Sequence, residues 1–216
     1  MNATIPHRPS LDDVRRYHID QLNVAMRRPS TFGGDLVIEL LARSVAYIDG
    51  AADHWDRAVE GLRSRGAFSS IGVRGAFHGM FPDYYDDGAS GSVYGELAWR
   101  LGWLAVDRLM TPGEYARLQD EAARWCAVDC GYEETIAEFG PPSAIFGSQS
   151  RNNPRTILYA VDDPTRESVS LHFTNPFGVE VGSPGAPLIL LGIRRSDARF
   201  NEAFTLTPTG SAYLDE

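Results

Sequence analysis

Apolar residues recur every three or four positions through most of the first 140 residues, a spacing typical of helices that bury one face. Ser10 is followed by two acids and an apolar face, which predicts a capped helix that Pro29 ends. Further helices are predicted over residues 35–50 and 53–66. In the helix predicted over residues 35–50, the apolar positions expected to pack on the core are Leu36, Leu40, Leu41, Val45 and Ile48.

Residues 66–92 interrupt this pattern with six glycines and Pro82. We expect a short helical turn near residues 74–80 and a loop over residues 83–92. A helix is predicted over 93–104. The run from Thr111 to Glu114 is a capping box that begins another helix, extending to about Cys130. A short helix is predicted over 132–139, ended by Gly140-Pro141-Pro142.

After Pro142 the period changes from helical to alternating. Strands are predicted over 156–161, 168–174, 187–193 and 203–207, with a hairpin turn at 162–165. The sequence therefore predicts an α+β fold: a helical N-terminal two thirds followed by a mainly antiparallel sheet of about four strands. We expect a helical region, residues 1–140, and a β region, residues 141–216, packed together as one domain.

Composition indicates an ordinary soluble protein, with 43% hydrophobic and 23% charged residues among 216. It contains no apolar run near 18 residues, and residues 1–10 lack the pattern of a secretory signal, so we expect a cytoplasmic protein without a membrane partner. Cys126 and Cys130 are expected to be buried or half-buried thiols on a helix, without a metal, and no cofactor is expected.

All 20 basic residues are arginine. Two alternative explanations are open: codon usage in a GC-rich genome, or evasion of lysine-directed modification. Lysine chemistry, including a Schiff base or a phosphate-binding P-loop lysine, is excluded.

The net charge of −9 is concentrated in residues 81–140, which hold 12 acids and four arginines. A surface with one sign of charge attracts a basic partner and repels nucleic acid and anionic membranes. The densest cluster is Asp83-Tyr84-Tyr85-Asp86-Asp87. Its carboxylates suit pairing with a partner's cations, and its tyrosines suit buried contact. The alternative is a solvated loop that only keeps the protein soluble.

No sequence motif identifies a reaction. The chain lacks paired metal-binding histidines and a nucleophile elbow. An alternative pocket between helices and sheet would use His78, Trp99 and His172, with Asp83 beside His78 for acid–base chemistry. His172 alternates with the Leu171 and Phe173 face and is expected to point toward solvent or a second layer. The isolated basic pairs Arg27-Arg28 and Arg194-Arg195 are too small for a nucleic-acid footprint.

Four segments carry a resemblance: RPSTFGG (28–34), GVRGAF (72–77), EFGPPS (138–143) and FTLTP (204–208). They resemble a family of uncharacterised proteins from GC-rich bacteria, over most of the chain. No established activity or site residue follows from this resemblance. Some small acidic proteins of this general kind are immunity partners of toxins, an analogy of size and charge.

The leading hypothesis is a non-enzymatic cytoplasmic binding protein that sequesters or inhibits a basic protein partner, as an immunity protein inhibits a toxin. Asp83, Asp86 and Asp87 would engage cations, and Tyr84 and Tyr85 would provide contact area. The first alternative is an enzyme or small-molecule-binding protein with a pocket between the helices and the sheet. The second is a structural subunit that forms a homo-oligomer through exposed aromatic residues.

Overall fold

The computed structural model describes residues 8–78, 80–81, 86–195 and 198–214. Along these residues the helices that precede the sheet are α1 (Leu11–Arg27), α2 (Pro29–Phe32), α3 (Gly34–Ile48), α4 (Ala52–Ser64), α5 (Arg74–Phe77), α6 (Asp86–Arg100), α7 (Pro112–Trp125) and α8 (Tyr132–Phe139). The strands are β1 (Ala144–Gly147), β2 (Arg155–Tyr159), β3 (Val169–Thr174), β4 (Ile189–Arg195) and β5 (Phe204–Leu206). A 3₁₀ turn, Phe200–Glu202, precedes β5, and helix α9 (Pro208–Leu214) follows it.

Two predicted helix starts are confirmed by their caps. The Ser10 hydroxyl accepts a hydrogen bond from the Asp13 amide at 3.1 Å, and the Asp13 carboxylate accepts one from the Ser10 amide at 3.0 Å. Thr111 and Glu114 make the same reciprocal pair at α7. Each cap satisfies amides that the first helical turn leaves without a partner.

The end predicted for α7 is wrong. The helix stops at Trp125 and Cys126 caps it, so Cys130 lies beyond the helix rather than on it. Both cysteines are free and buried, as expected. Burial raises the pKa of the Cys126 thiol to about 11.

The sheet has strand order β1-β2-β3-β4-β5, and every neighbouring pair is antiparallel. The α+β prediction is confirmed, as is the turn before β3, where the Asp163 carboxylate accepts the Thr165 amide at 3.0 Å. The sheet has five strands rather than the four predicted. The additional strand is β1, which follows the prolines at 141–142.

Helices cover both faces of the sheet. Phe146 and Leu158 belong to a core cluster with residues of α1, α3, α4 and α6. Ile157, Leu171 and Phe173 belong to a second cluster with residues of α7 and α8. Strands β2 and β3 are therefore buried at every position rather than at alternate ones.

Helix α6 corrects the loop predicted over residues 83–92. It begins at Asp86, and residues 88–98 are all buried. A Cβ placed on Gly88 would lie 2.8 Å from the Phe146 carbonyl oxygen, and one on Gly91 would lie 2.2 Å from that of Met26. These glycines therefore let a buried helix approach two neighbouring backbones.

Helix α3 corrects two predicted core positions. Leu36 and Leu40 are 78% and 63% exposed. The buried positions of α3 are Ile38, Ala42, Val45 and Ala46. Among the described residues, no helix is both long and apolar enough to cross a membrane.

Candidate functional site

A cleft of about 370 Å³ lies where the end of α1 meets the edge strand β1 and the hairpin after it. We call it the arginine cleft. Its lining residues are Arg27, Asp107, Ile145, Gly147, Gln149 and Arg155. Its volume is within the usual range for small-molecule sites.

Arg155 is the most buried charged group of this cleft, with 4% of its surface exposed. It begins β2, opposite Gly147 of β1. Its Nη2 donates to the Ser150 carbonyl, and its Nε donates to the Asn153 carbonyl at 3.5 Å. Its guanidinium carbon lies 5.1 Å from the centre of the Tyr132 ring, a cation–π distance.

The charge of Arg155 is not matched by a carboxylate in the part of the chain that the structure describes. Its two hydrogen-bond acceptors are neutral carbonyls, and its Nη1 has no acceptor among the described residues. Burial of a cation without a counter-charge is unfavourable. The cleft wall therefore contains an uncompensated positive charge.

Arg27 supplies a second guanidinium from the last turn of α1. Its Nη2 donates to the Ala105 carbonyl at 2.9 Å, and its Nη1 lies 3.6 Å from an Asp107 carboxylate oxygen. The Asp107 amide donates to the Ser143 carbonyl at 2.8 Å, which fixes this segment against the chain just before β1. Asp107 partly offsets the charge of Arg27.

A second cleft, of about 300 Å³, shares Gly147 and Gln149 with the arginine cleft and so adjoins it. Its other lining residues are Arg28, Thr31, Asp87 and Ser148. Together the two clefts hold three arginines and two aspartates, a surplus of one positive charge in a chain of net charge −9. This location therefore favours a negatively charged ligand.

The predicted partner-binding cluster is only partly placed. Asp83, Tyr84 and Tyr85 lie outside the described residues, and Asp86 is the first residue of α6. The Asp87 carboxylate accepts hydrogen bonds from the amide and the hydroxyl of Ser30, both at 2.5 Å. Asp87 thus joins α6 to α2 and lines the second cleft.

The residues of the alternative pocket lie in three different settings. His78 is exposed after α5, and Trp99 is half-buried at the end of α6. His172 is fully buried and points toward the helical layer, one of the two directions predicted. The backbone of Phe81 bridges to that of His78, and its ring stacks on His172 with centres 5.9 Å apart.

His172 is held inside an aromatic cluster. The ring centres of Phe77 and Phe204 lie 5.9 and 5.5 Å from that of His172. Its Nδ1 is 3.2 Å from the Thr156 hydroxyl oxygen. Burial lowers the pKa of His172 well below the ordinary value, and the charge of Arg194 lowers it further. The ring is therefore neutral in the folded protein at neutral pH.

Internal ion pairs occupy half of the described acids in residues 81–140. This segment contains twelve acids, and the structure describes the side chains of ten of them, all except Asp83 and Asp86. Five of these pair with arginines: Glu96 with Arg194, Asp107 with Arg27, Glu114 with Arg108, Glu121 with Arg124 and Glu138 with Arg117. The surface charge of the segment is therefore smaller than its composition suggests.

Three exposed acids near the turn from α7 to α8 form no ion pair with a described arginine. We call Asp129, Glu133 and Glu134 the acidic edge. Asp129 accepts the amide and hydroxyl of Thr209, both at 2.9 Å, and Glu134 accepts the Gly131 amide at 2.8 Å. The described residues contain no group of three or more side chains that could hold a metal ion.

Comparison with known proteins gives no functional assignment: no protein family, no curated protein and no solved structure matches this chain. The pair Arg27-Arg28 was too small to indicate a nucleic-acid site and did not predict the clefts that these two residues line. Arg155, Asp107 and Gln149 carry no local signal, because strand pairing and loop packing bring them to the cleft.

Proposed function

We propose that this chain is a small-molecule-binding protein whose ligand occupies the arginine cleft. The observation that carries the proposal is the wall of the cleft, where a buried, uncompensated Arg155 faces a space of about 370 Å³. The cleft lies between helix α1 and the edge of the sheet, and the first alternative from the sequence was likewise a pocket between helices and sheet. Its residues differ from those expected, since they do not include His78, Trp99 or His172.

A thermal-shift screen of polar metabolites tests this proposal. Gln149 is exposed and lines both clefts, so Gln149→Trp places a large ring where they meet. Ala123→Trp, at an exposed position of α7, is the matched control. We expect at least one compound to stabilise the wild type and Ala123→Trp but not Gln149→Trp. If every stabilising compound acts equally on all three proteins, the ligand does not occupy this cleft.

A second candidate function is the docking of a basic protein in the cytoplasm, as an immunity protein docks its toxin. The acidic edge supports it, because its three carboxylates are exposed beside Val128, which is 59% exposed. An acidic surface of this kind would speed association and make it sensitive to salt. The predicted residues Asp83, Tyr84, Tyr85, Asp86 and Asp87 remain part of this candidate.

Affinity capture from native extract at two salt concentrations tests the second candidate. We expect one basic protein to be captured at low salt and released by added salt. The variant Asp129→Asn/Glu133→Gln/Glu134→Gln should lose that protein. Asp20→Asn, at an exposed position of α1, should retain it. Equal capture by both variants would show that the acidic edge does not bind the basic protein. Loss of the basic protein in Asp87→Asn would instead place the docking surface at the start of α6.

A further inference from the structure

We infer that the ligand of the arginine cleft carries an oxyanion, a carboxylate or a phosphate group, which Arg155 and Arg27 hold. The inference rests on the proposed function, because it assumes that the cleft is a ligand site. It adds the chemical class of the group that is recognised.

The hydrogen bonds of Arg155 leave part of its guanidinium available to a ligand. Nη2 and Nε are turned toward the carbonyls of Ser150 and Asn153 in the β1–β2 hairpin. Nη1 has no acceptor in the described part of the chain, and the side chain lines the cleft. A guanidinium fork matches the paired oxygens of a carboxylate or phosphate better than any neutral group.

The buried charge of Arg155 favours an anionic ligand more strongly than any other feature of the cleft. Stacking on Tyr132 stabilises the cation and fixes the plane of the guanidinium. It adds no negative charge. Because the Arg155 side chain is buried, an anion beside it gains more electrostatic energy than it would beside a surface arginine.

Arg27 and Gln149 complete the recognition of the anion. Arg27 is anchored by the Ala105 carbonyl, and its charge is shared with Asp107 at 3.6 Å. The side-chain amide of Gln149 adds a donor at the mouth of the cleft. Asp107 repels an entering anion, so it limits affinity in this site.

A titration with small probes tests the oxyanion directly. Inorganic phosphate and acetate are the anionic probes, and acetamide is the neutral match to acetate. We expect saturable binding of at least one anion to the wild type and no saturable binding of acetamide. Tighter binding of phosphate assigns a phosphorylated ligand, and tighter binding of acetate assigns a carboxylate.

Three variants connect that binding to the cleft. Arg155→Met should weaken the binding of the anion roughly tenfold or more, because it removes a charged hydrogen-bond donor. Arg27→Gln should weaken it as well, and it provides the test if Arg155→Met does not fold by circular dichroism. Asp107→Asn should strengthen binding by about two- to fivefold, since it removes an exposed competing charge.

Failure of the inference is distinguishable from failure of the proposed function. The oxyanion assignment is wrong if neither anion binds the wild type. It is also wrong if Arg155→Met and Arg27→Gln both bind the anions as tightly as the wild type does. A neutral compound that binds the wild type and is blocked by Gln149→Trp would then leave the proposed function intact. If Gln149→Trp blocks no compound of any charge, both the proposed function and the oxyanion assignment fall.

Discussion

Glu96 of α6 and Arg194 of β4 form a two-bond ion pair that is almost entirely closed to solvent. One guanidinium nitrogen contacts Oε1, and the other lies 3.2 Å from Oε2. The Ser170 hydroxyl donates to Glu96 at 3.3 Å. The pair ties α6 to the sheet, and loss of either partner alone would leave the other charge buried and unpaired.

Glu96→Gln should destabilise the protein by about 3–5 kcal/mol, because Arg194 would remain buried without a matching charge. Urea unfolding measures the change. The double variant Glu96→Met/Arg194→Met removes both charges and should be less destabilised than the single one. A single variant as stable as the wild type would mean that Arg194 reaches water or another acceptor.

Gly91→Ala should destabilise the fold by about 1–3 kcal/mol, the usual effect of overpacking. The added methyl group would lie 2.2 Å from the Met26 carbonyl oxygen, so α1 and α6 must separate. Gly61→Ala in α4 is the control, since no atom lies within 4 Å of its Cβ position. The control should gain about 0.5–1 kcal/mol from helix propensity. Equal effects of the two substitutions in thermal unfolding would contradict close packing at Gly91.

The glycines of α6 explain why the sequence pattern failed there. Glycine is common both in loops and where two backbones approach closely, and the sequence does not distinguish these uses. The capping boxes at Ser10 and Thr111 were predictable, because a few adjacent residues make the whole interaction. Likewise, Leu36 and Leu40 fit a helical period, but the choice of buried face depends on neighbouring helices that local sequence does not reveal.

Stability should fall as the pH drops below 6.5, in part because of His172. The pKa of His172 is lowered in the folded state, so below 6.5 the unfolded chain takes up a proton that the folded chain excludes. This group contributes a slope of up to about 1.4 kcal/mol per pH unit. The contribution is absent above pH 6.5, where both states are neutral at this ring.

Comparison with His172→Gln isolates that effect from other titrating groups. The free energy of unfolding of the wild type should decrease more steeply between pH 7 and pH 5 than that of the variant. Parallel pH profiles would show that His172 is protonated equally in both states, against its burial among Phe77, Phe81 and Phe204.

The candidate site was less predictable than the fold. Asp87 was predicted only as part of a cluster that binds a protein partner, and the pair Arg27-Arg28 was judged too small for a nucleic-acid site, yet these residues line the two clefts. Arg155 was not singled out, because its role depends on its position opposite Gly147, which lies on a strand that was not predicted. The acid-rich composition also did not show that five of the described acids are paired inside the chain.

Arginine side-chain NMR offers the most direct test of the central claim, that the arginine cleft binds an oxyanion through Arg155. Inorganic phosphate and acetate are titrated separately into the protein while the Nε–Hε resonances are followed. The account predicts that at least one of the two anions shifts the Arg155 resonance saturably and leaves that of the surface residue Arg16 unchanged. An Arg155 resonance that stays fixed with both anions, or shifts only in step with Arg16, would contradict it.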